Sequence, residues 1–188
     1  MSRLVARLRQ LLPSLLVPAL LLFTPDGADA QEWSVNKAQS SVALQLSMDG
    51  QPVEARFGAY KFEISLDPEE AADGKIAGMI DASSLSTGDA ARDAVLYGPD
   101  WLNAAAHPTI RLTSVRIREQ EAPAYRLDAD LTLRGVTKRV SAPLTVTDEG
   151  TAGKIYAELK VSPAAFGVGG GAGEMRIVIN LTATHLTN

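Results

Sequence analysis

The chain contains no cysteine. That absence excludes disulfides, thiolate nucleophiles, iron–sulfur clusters and cysteine-ligated zinc together. Histidine is nearly as scarce. Only His107 and His185 occur, too few for a multi-histidine metal centre, because zinc takes three or four protein ligands. Aromatics make up 5% of the residues, so any core must be built from aliphatic and small side chains. Positive charge is not in excess: 18 Lys and Arg face 22 Asp and Glu, for a net charge of −4. That is the wrong sign for a protein that neutralises nucleic-acid phosphates, and too mild for an acidic disordered tail. No apolar run reaches the roughly 20 residues that a membrane-spanning helix needs. What is left is one domain's worth of chain, 188 residues, against roughly 100–200 per domain.

The longest apolar run, Leu11 to Phe23, spans 13 residues and contains Pro13 and Pro18. Arg3, Arg7 and Arg9 precede it without an acid, and Ala28-Asp29-Ala30 follows a polar stretch. A basic start, a short apolar centre and an A-x-A site describe a secretory signal peptide. Cleavage is expected after Ala30, so that 1–30 is the signal peptide, 31–188 the domain, and the location periplasmic. Removing three arginines with Asp26 and Asp29 leaves a mature charge of about −5.

From there the chain reads mostly in period two, the strand signal. Val42, Leu44 and Leu46 alternate with polar or small residues. Val53, Ala55, Phe57 and Ala59 share one face, then Tyr60, Phe62, Ile64 and Leu66 take over. A phase slip at Gly58 predicts a β-bulge. Ile76, Gly78 and Ile80 share a side. Ile110 and Leu112 give way to Val115 and Ile117, a second expected bulge. Tyr125, Leu127, Ala129, Leu131 and Leu133 oppose Arg126, Asp128, Asp130 and Thr132, the one-wet, one-dry pattern of antiparallel sheet. A tight turn at Arg134-Gly135 leads into Val136–Val146. Ile155–Val161 and Met175–Ala183 complete about eight strands at meander spacing, which indicates an all-β sandwich or barrel.

Alternation disappears over 87–106, which is rich in alanine and leucine. Thr87 or Asp89 can cap a helix there, and Gly98-Pro99 divides the segment into expected helices at about 89–97 and 100–106. If eight strands close, the interior is either filled by side chains or holds one small ligand. Ala55, Ala59, Ala129, Ala142, Ala157 and Ala183 lie in the inward phase, with Lys138, beside a turn, as the only charge. Such alanines either leave an apolar lumen or fit the taper of a filled barrel. A lumen of this kind favours a hydrocarbon chain, at about 0.8 kcal/mol per buried CH₂.

Catalytic patterns are poor. Gly167–Ala172 satisfies G-x-G-x-x-A, but a strand pattern follows it where a dinucleotide fingerprint requires a helix. The run reads as a hairpin loop or as a flap at a barrel mouth. Arg92-Asp93 are adjacent, so on one helix they diverge, and a capping or ion-pair role is expected. No G-x-S-x-G elbow supports a serine hydrolase. His107 precedes Pro108 and reads as structural. The expectation is therefore no enzyme, no catalytic residue and no metal.

Several ordered motifs carry a family resemblance. They are Leu131-Thr132-Leu133-Arg134-Gly135-Val136-Thr137-Lys138; Asp81-Ala82-Ser83-Ser84-Leu85-Ser86-Thr87-Gly88 with Arg92-Asp93; Asp100-Trp101-Leu102 with His107-Pro108-Thr109-Ile110; Phe166-Gly167-Val168-Gly169; and Trp33 at the domain's start. Together they resemble the YceI family of secreted lipid-binding proteins. The resemblance implies an eight-stranded antiparallel lipocalin-like β-barrel, closed at one end by the helical segment of about 87–106. It implies a polyprenyl lipid or isoprenoid quinone in the lumen as the bound partner, with no other cofactor. Met48–Val53 and the Phe166–Gly169 loop look like the branch associated with di-haem b-type membrane cytochromes. An accessory docked on such a cytochrome, its barrel a scaffold, is the alternative function. A homodimer stays open, and no nucleic-acid partner is expected. Phe57, Phe62, Ile64, Leu131 and Phe166 are expected to line the tunnel, with Leu96 and Trp101 closing it.

Overall fold

The computed structural model describes residues 32–48, 50–67, 70–169 and 173–186; the expected signal peptide lies outside them. The strands are β1 (Glu32–Val35), β2 (Ser41–Met48), β3 (Gln51–Phe57), β4 (Tyr60–Ser65), β5 (Lys75–Asp81), β6 (Leu85–Ser86), β7 (Thr109–Glu119), β8 (Ala124–Leu133), β9 (Val136–Asp148), β10 (Ala152–Val161) and β11 (Met175–His185), with one α-helix, α1 (Ala90–Tyr97). Their order is β1-β4-β5-β7-β8-β9-β10-β11, and β11 pairs back onto β1. Eight antiparallel strands therefore close a barrel, which leaves no free edge along that ring. Strands β2, β3 and β6 extend from β11 beside β1. β1 takes the edge of β11 at 183–185 and β2 takes it at 176–180.

Alternation became burial as its period requires. Every second residue of β8 from Tyr125 to Leu133 is buried, as are Ile155 to Val161 in β10 and Met175 to Ala183 in β11. The β8–β9 turn has φ of 51° at Arg134 and 73° at Gly135. Two successive positive φ values define the type I′ hairpin turn, whose twist suits right-twisted strands.

Two expectations need correction along the strands. The phase slip at Gly58 is a corner between two strands, not a bulge. β3 pairs with β2 and β6, whereas β4 pairs with β1 and β5. Ala59 sits at that corner, exposed, because the chain changes partners there and no pleat directs it inward. The second slip is a true bulge, with the β7–β8 register shifting between Ser114 and Arg116. Val115, expected beside Ile117, is instead the extra residue and is exposed, while Ile117 is buried. Ser114 Oγ accepts the Ile76 N–H at 2.9 Å, which replaces a ladder bond that the bulge disrupts.

Only the first of the two expected helices forms. Asp89 caps α1, its carboxylate accepting the N–H groups of Ala91 and Arg92. Residues 100–106 wind as turns. Leu102 N–H donates to Leu96 O, Asn103 N–H to Gly98 O and Ala104 N–H to Tyr97 O. These bonds fold the segment back onto the end of α1, and Asn103 takes a left-handed φ of 48° to allow it. Pro99 lacks an N–H to continue a helix. The segment still covers one barrel end, through Leu96, Leu102 and Ala104, all buried.

Candidate functional site

The inward residues form one apolar cluster, and among the described residues no polar or charged residue is buried. Its rows follow from strand register. Phe62, Gly78, Leu112 and Leu131 lie side by side across β4, β5, β7 and β8. Ile64 and Ile76 occupy the next row. Gly78 makes room for its neighbour: a methyl group built there would lie 2.5 Å from Phe62 Cε1, so the ring lies over the glycine. Five of the six expected inward alanines, Ala55, Ala129, Ala142, Ala157 and Ala183, are buried. Burial pushes the Tyr60 and Tyr125 phenols up from their ordinary pKa, with the carboxylates of Glu119 and Asp67 adding to the shift at Tyr125. The interior is thus apolar, and its chemistry suits hydrocarbon and disfavours charge.

Trp33 closes the floor. Its indole N–H donates to Leu66 O at 2.8 Å, and its ring covers Gly153, where a methyl group would come within 2.4 Å of Cζ3. The His185 ring lies 4.0 Å away, centroid to centroid. His185 Nε2 donates to Asp148 Oδ1 at 3.0 Å, since a carboxylate only accepts; Nδ1 is then buried without a partner. Trp33 opened the family resemblance, but its role as a floor was not legible. The signal was glycine in strand: Gly78 and Gly153 mark where an aromatic ring approaches the wall.

At the other end three loops meet. Arg134, in the β8–β9 turn, donates to Pro99 O at 2.7 Å. Gly169 N–H donates to Asp100 O at 2.6 Å, and the Trp101 ring packs against Gly169. The His107 ring packs against Gly135. A short 3₁₀ turn, Pro163–Phe166, buries Phe166 and ends at Gly167 with φ 66°. Of the sequence-derived site residues, Phe57, Phe62, Ile64, Leu96, Leu131 and Phe166 are members of the one buried cluster, and Trp101 packs against its edge, half-buried. Residues 170–172 of the glycine run lie outside the described residues.

Chemistry-bearing side chains do not converge. His107 is at the loop end and His185 at the floor. No group of three or more His, Asp or Glu able to hold a metal occurs among the described residues. Asp93 accepts from Thr87 Oγ1 and N–H, both at 2.7 Å, and from Ser86 Oγ at 2.9 Å. Those bonds, with the nearby Arg92 charge, hold its carboxyl below the usual range, the capping role that the sequence indicated. A depression of about 820 Å³ opens over β4, β5 and β7 between Glu63, Lys75, Thr113 and Val115. Its lining joins these exposed side chains of the outer wall to the buried Trp33, Phe62, Ile64 and Ile76 of the core.

The fold has counterparts among solved structures. BcnA of Burkholderia cenocepacia superposes with a TM-score of 0.76 at 28% identity, over 80% of this chain and all of that one. A polyisoprenoid-binding domain from Saccharophagus degradans superposes with a TM-score of 0.65 at 15% identity, over 82% of this chain and 98% of the other, a likeness of fold. In sequence, the chain is similar to a UPF0312 protein of Shewanella denitrificans, 29% identical over 145 residues, covering 76% of this chain and 75% of that one. It is 27% identical over 135 residues to Protein YceI of Escherichia coli O157:H7, covering 70% of each. The YceI-like domain model matches residues 33–184, from the floor tryptophan to the end of β11, and the chain belongs to that family.

Proposed function

We propose that this protein is a non-catalytic periplasmic carrier that holds a long isoprenoid chain, a polyprenyl lipid or an isoprenoid quinone, inside the barrel. The observation that carries this reading is the interior: a closed wall of aliphatic side chains and alanines with no buried polar or charged residue among those described. A prenyl chain offers only CH, CH₂ and CH₃ groups, and each buried CH₂ contributes about 0.8 kcal/mol. The same fold in the Saccharophagus degradans domain, a polyisoprenoid-binding one, supports the ligand class. Phe57, Phe62, Ile64, Leu131 and Phe166 would touch the chain, under Leu96 and Trp101.

Organic extraction of the purified protein, followed by mass spectrometry, should recover an isoprenoid. Ala129→Phe places a ring in the interior at a position with 0% exposure. If the bound chain occupies that space, the variant stays folded and the extract loses its lipid. If the wild type yields none and the variant is destabilised by about 1–3 kcal/mol, the cost of overpacking a full core, the barrel is a solid scaffold. The accessory docked on a membrane b-type cytochrome then takes the carrier's place.

A further inference from the structure

We propose that the outer wall of β7, β8 and β9 docks on an anionic phospholipid surface. The proposal rests on the carrier reading for its purpose, since an isoprenoid must pass between barrel and bilayer. Five arginines, Arg111, Arg116, Arg118, Arg126 and Arg139, lie in the outward phase of these strands with two carboxylates, Asp128 and Asp130, while Glu119 and Asp148 stand at the ends of β7 and β9. The chain as a whole carries a charge of −4, so the positive wall runs against the protein's own balance.

The arginines are not used up by the fold. Arg139 pairs with Asp130 at 2.6 Å and Arg118 with Asp128 at 2.6 Å. Arg126 has only a hydroxyl, donating to Ser141 Oγ at 2.8 Å, and Ser141 in turn donates to Asp128. Arg116 has no ion pair among the described residues, and Arg111 reaches only the Met79 sulfur at 3.4 Å. Three guanidinium groups, Arg116, Arg118 and Arg126, thus surround one carboxylate. Arg118 also stands directly opposite Arg126 in the β7–β8 register, a like-charge pair that costs stability in a sheet. An external anion would relieve that repulsion.

The chemistry favours phosphate on a membrane. Guanidinium is planar and meets phosphate through two parallel hydrogen bonds. Two large apolar side chains lie exposed beside the arginines, Met79 at 41% and Val115 at 49%, and Val115 is lifted outward by the bulge. Cations flanked by a few apolar groups suit the interfacial layer of a bilayer. Beyond the wall, Glu63 on β4, Asp81 on β5 and Glu158 on β10 carry negative charge, and Glu119 ends β7 itself, so acids flank the positive zone.

The test is co-sedimentation of the purified protein with vesicles of phosphatidylglycerol and phosphatidylcholine in equal parts, against pure phosphatidylcholine. Wild type and variants carry the same N-terminus. We expect binding to the anionic vesicles only, lost at high salt, where exposed charges are screened. Arg116→Gln with Arg126→Gln should weaken it roughly 25-fold, at about five-fold per cation near an anionic surface. Lys154→Gln with Lys160→Gln, on the β10 wall, should leave it unchanged. Thermal melts establish that both variants fold. Equal binding to both vesicles, or equal losses in the two double variants, overturns the proposal; an acidic protein would then be the wall's partner. Extraction of isoprenoid from the same samples keeps the two readings apart. Lipid retained without vesicle binding removes the wall and leaves the carrier. Vesicle binding without any lipid removes the carrier and leaves the wall.

Discussion

Two inward glycines, Gly78 and Gly153, set how close aromatic rings come to the barrel wall. At Gly153 a methyl group would meet Trp33 and the Thr147 carbonyl oxygen, each at 2.4 Å. The carbonyl belongs to the ladder and cannot move aside. Gly153→Ala should therefore cost about 1–3 kcal/mol, as overpacking does, measured by urea denaturation; an unchanged midpoint would mean that Trp33 does not seat there. Next to it, burial pushes the Asp148 carboxyl up, but bonds from His185 and the Gly150 N–H, with the His185 charge, outweigh burial and hold it below its ordinary value. A carboxyl depressed on folding stabilises the fold above its unfolded pKa of about 3.9. That stabilisation is lost as pH falls through the lower folded value. Asp148→Asn should thus flatten the acid limb of the stability curve below about pH 4. Urea midpoints across that range would detect it, and superimposable limbs would rule out the His185–Asp148 bond as its source.

Among the elements, the loop-end cover is the least regular and the most dependent on single contacts. α1 has one fully buried residue, Leu96, and Tyr97 OH donates to the Leu85 carbonyl. The segment after it is held by its own turns and by Arg134, reaching from the β8–β9 hairpin. Elements with few buried contacts open first. Arg134→Ala should therefore speed amide exchange at 98–104 while strands β8 and β10 keep their protection. Equal acceleration throughout would place Arg134 in the global fold instead. The hairpin itself depends on Gly135, whose φ of 73° suits glycine and whose Cα faces the His107 ring.

For the molecule as a whole, charge and greasiness are segregated. The interior is apolar, five arginines share one wall, and carboxylates cluster at Asp67, Glu70 and Asp73 and, at the end of β7 and just beyond it, at Glu119 and Glu121. On the proposed carrier reading, this segregation would keep an apolar cargo away from the charged outer surface. We propose a periplasmic location from the expected signal peptide at 1–30. N-terminal sequencing of the periplasmic fraction should begin at Gln31; a full-length chain recovered with the membrane would exclude secretion.

Period-two alternation determined the strands by itself, because one buried and one wet face leave a strand a single workable register. The same alternation placed Phe62, Ile64 and Leu131 inside, and the Arg134-Gly135 turn needed only the local preference for positive φ. The tertiary structure alone decided the rest. A phase slip reads the same whether a strand bulges, as at Val115, or changes partners, as at Gly58, since both insert residues into the count. Helix propensity over 100–106 lost to bonds returning to Gly98 and Leu96, which exist only once that segment lies on the barrel. The closure of β11 onto β1 joins residues about 150 apart, and no local pattern encodes it. The arginine wall is likewise a product of register: the pairing of β7 with β8 brings Arg116 and Arg118 beside Arg126 and Asp128.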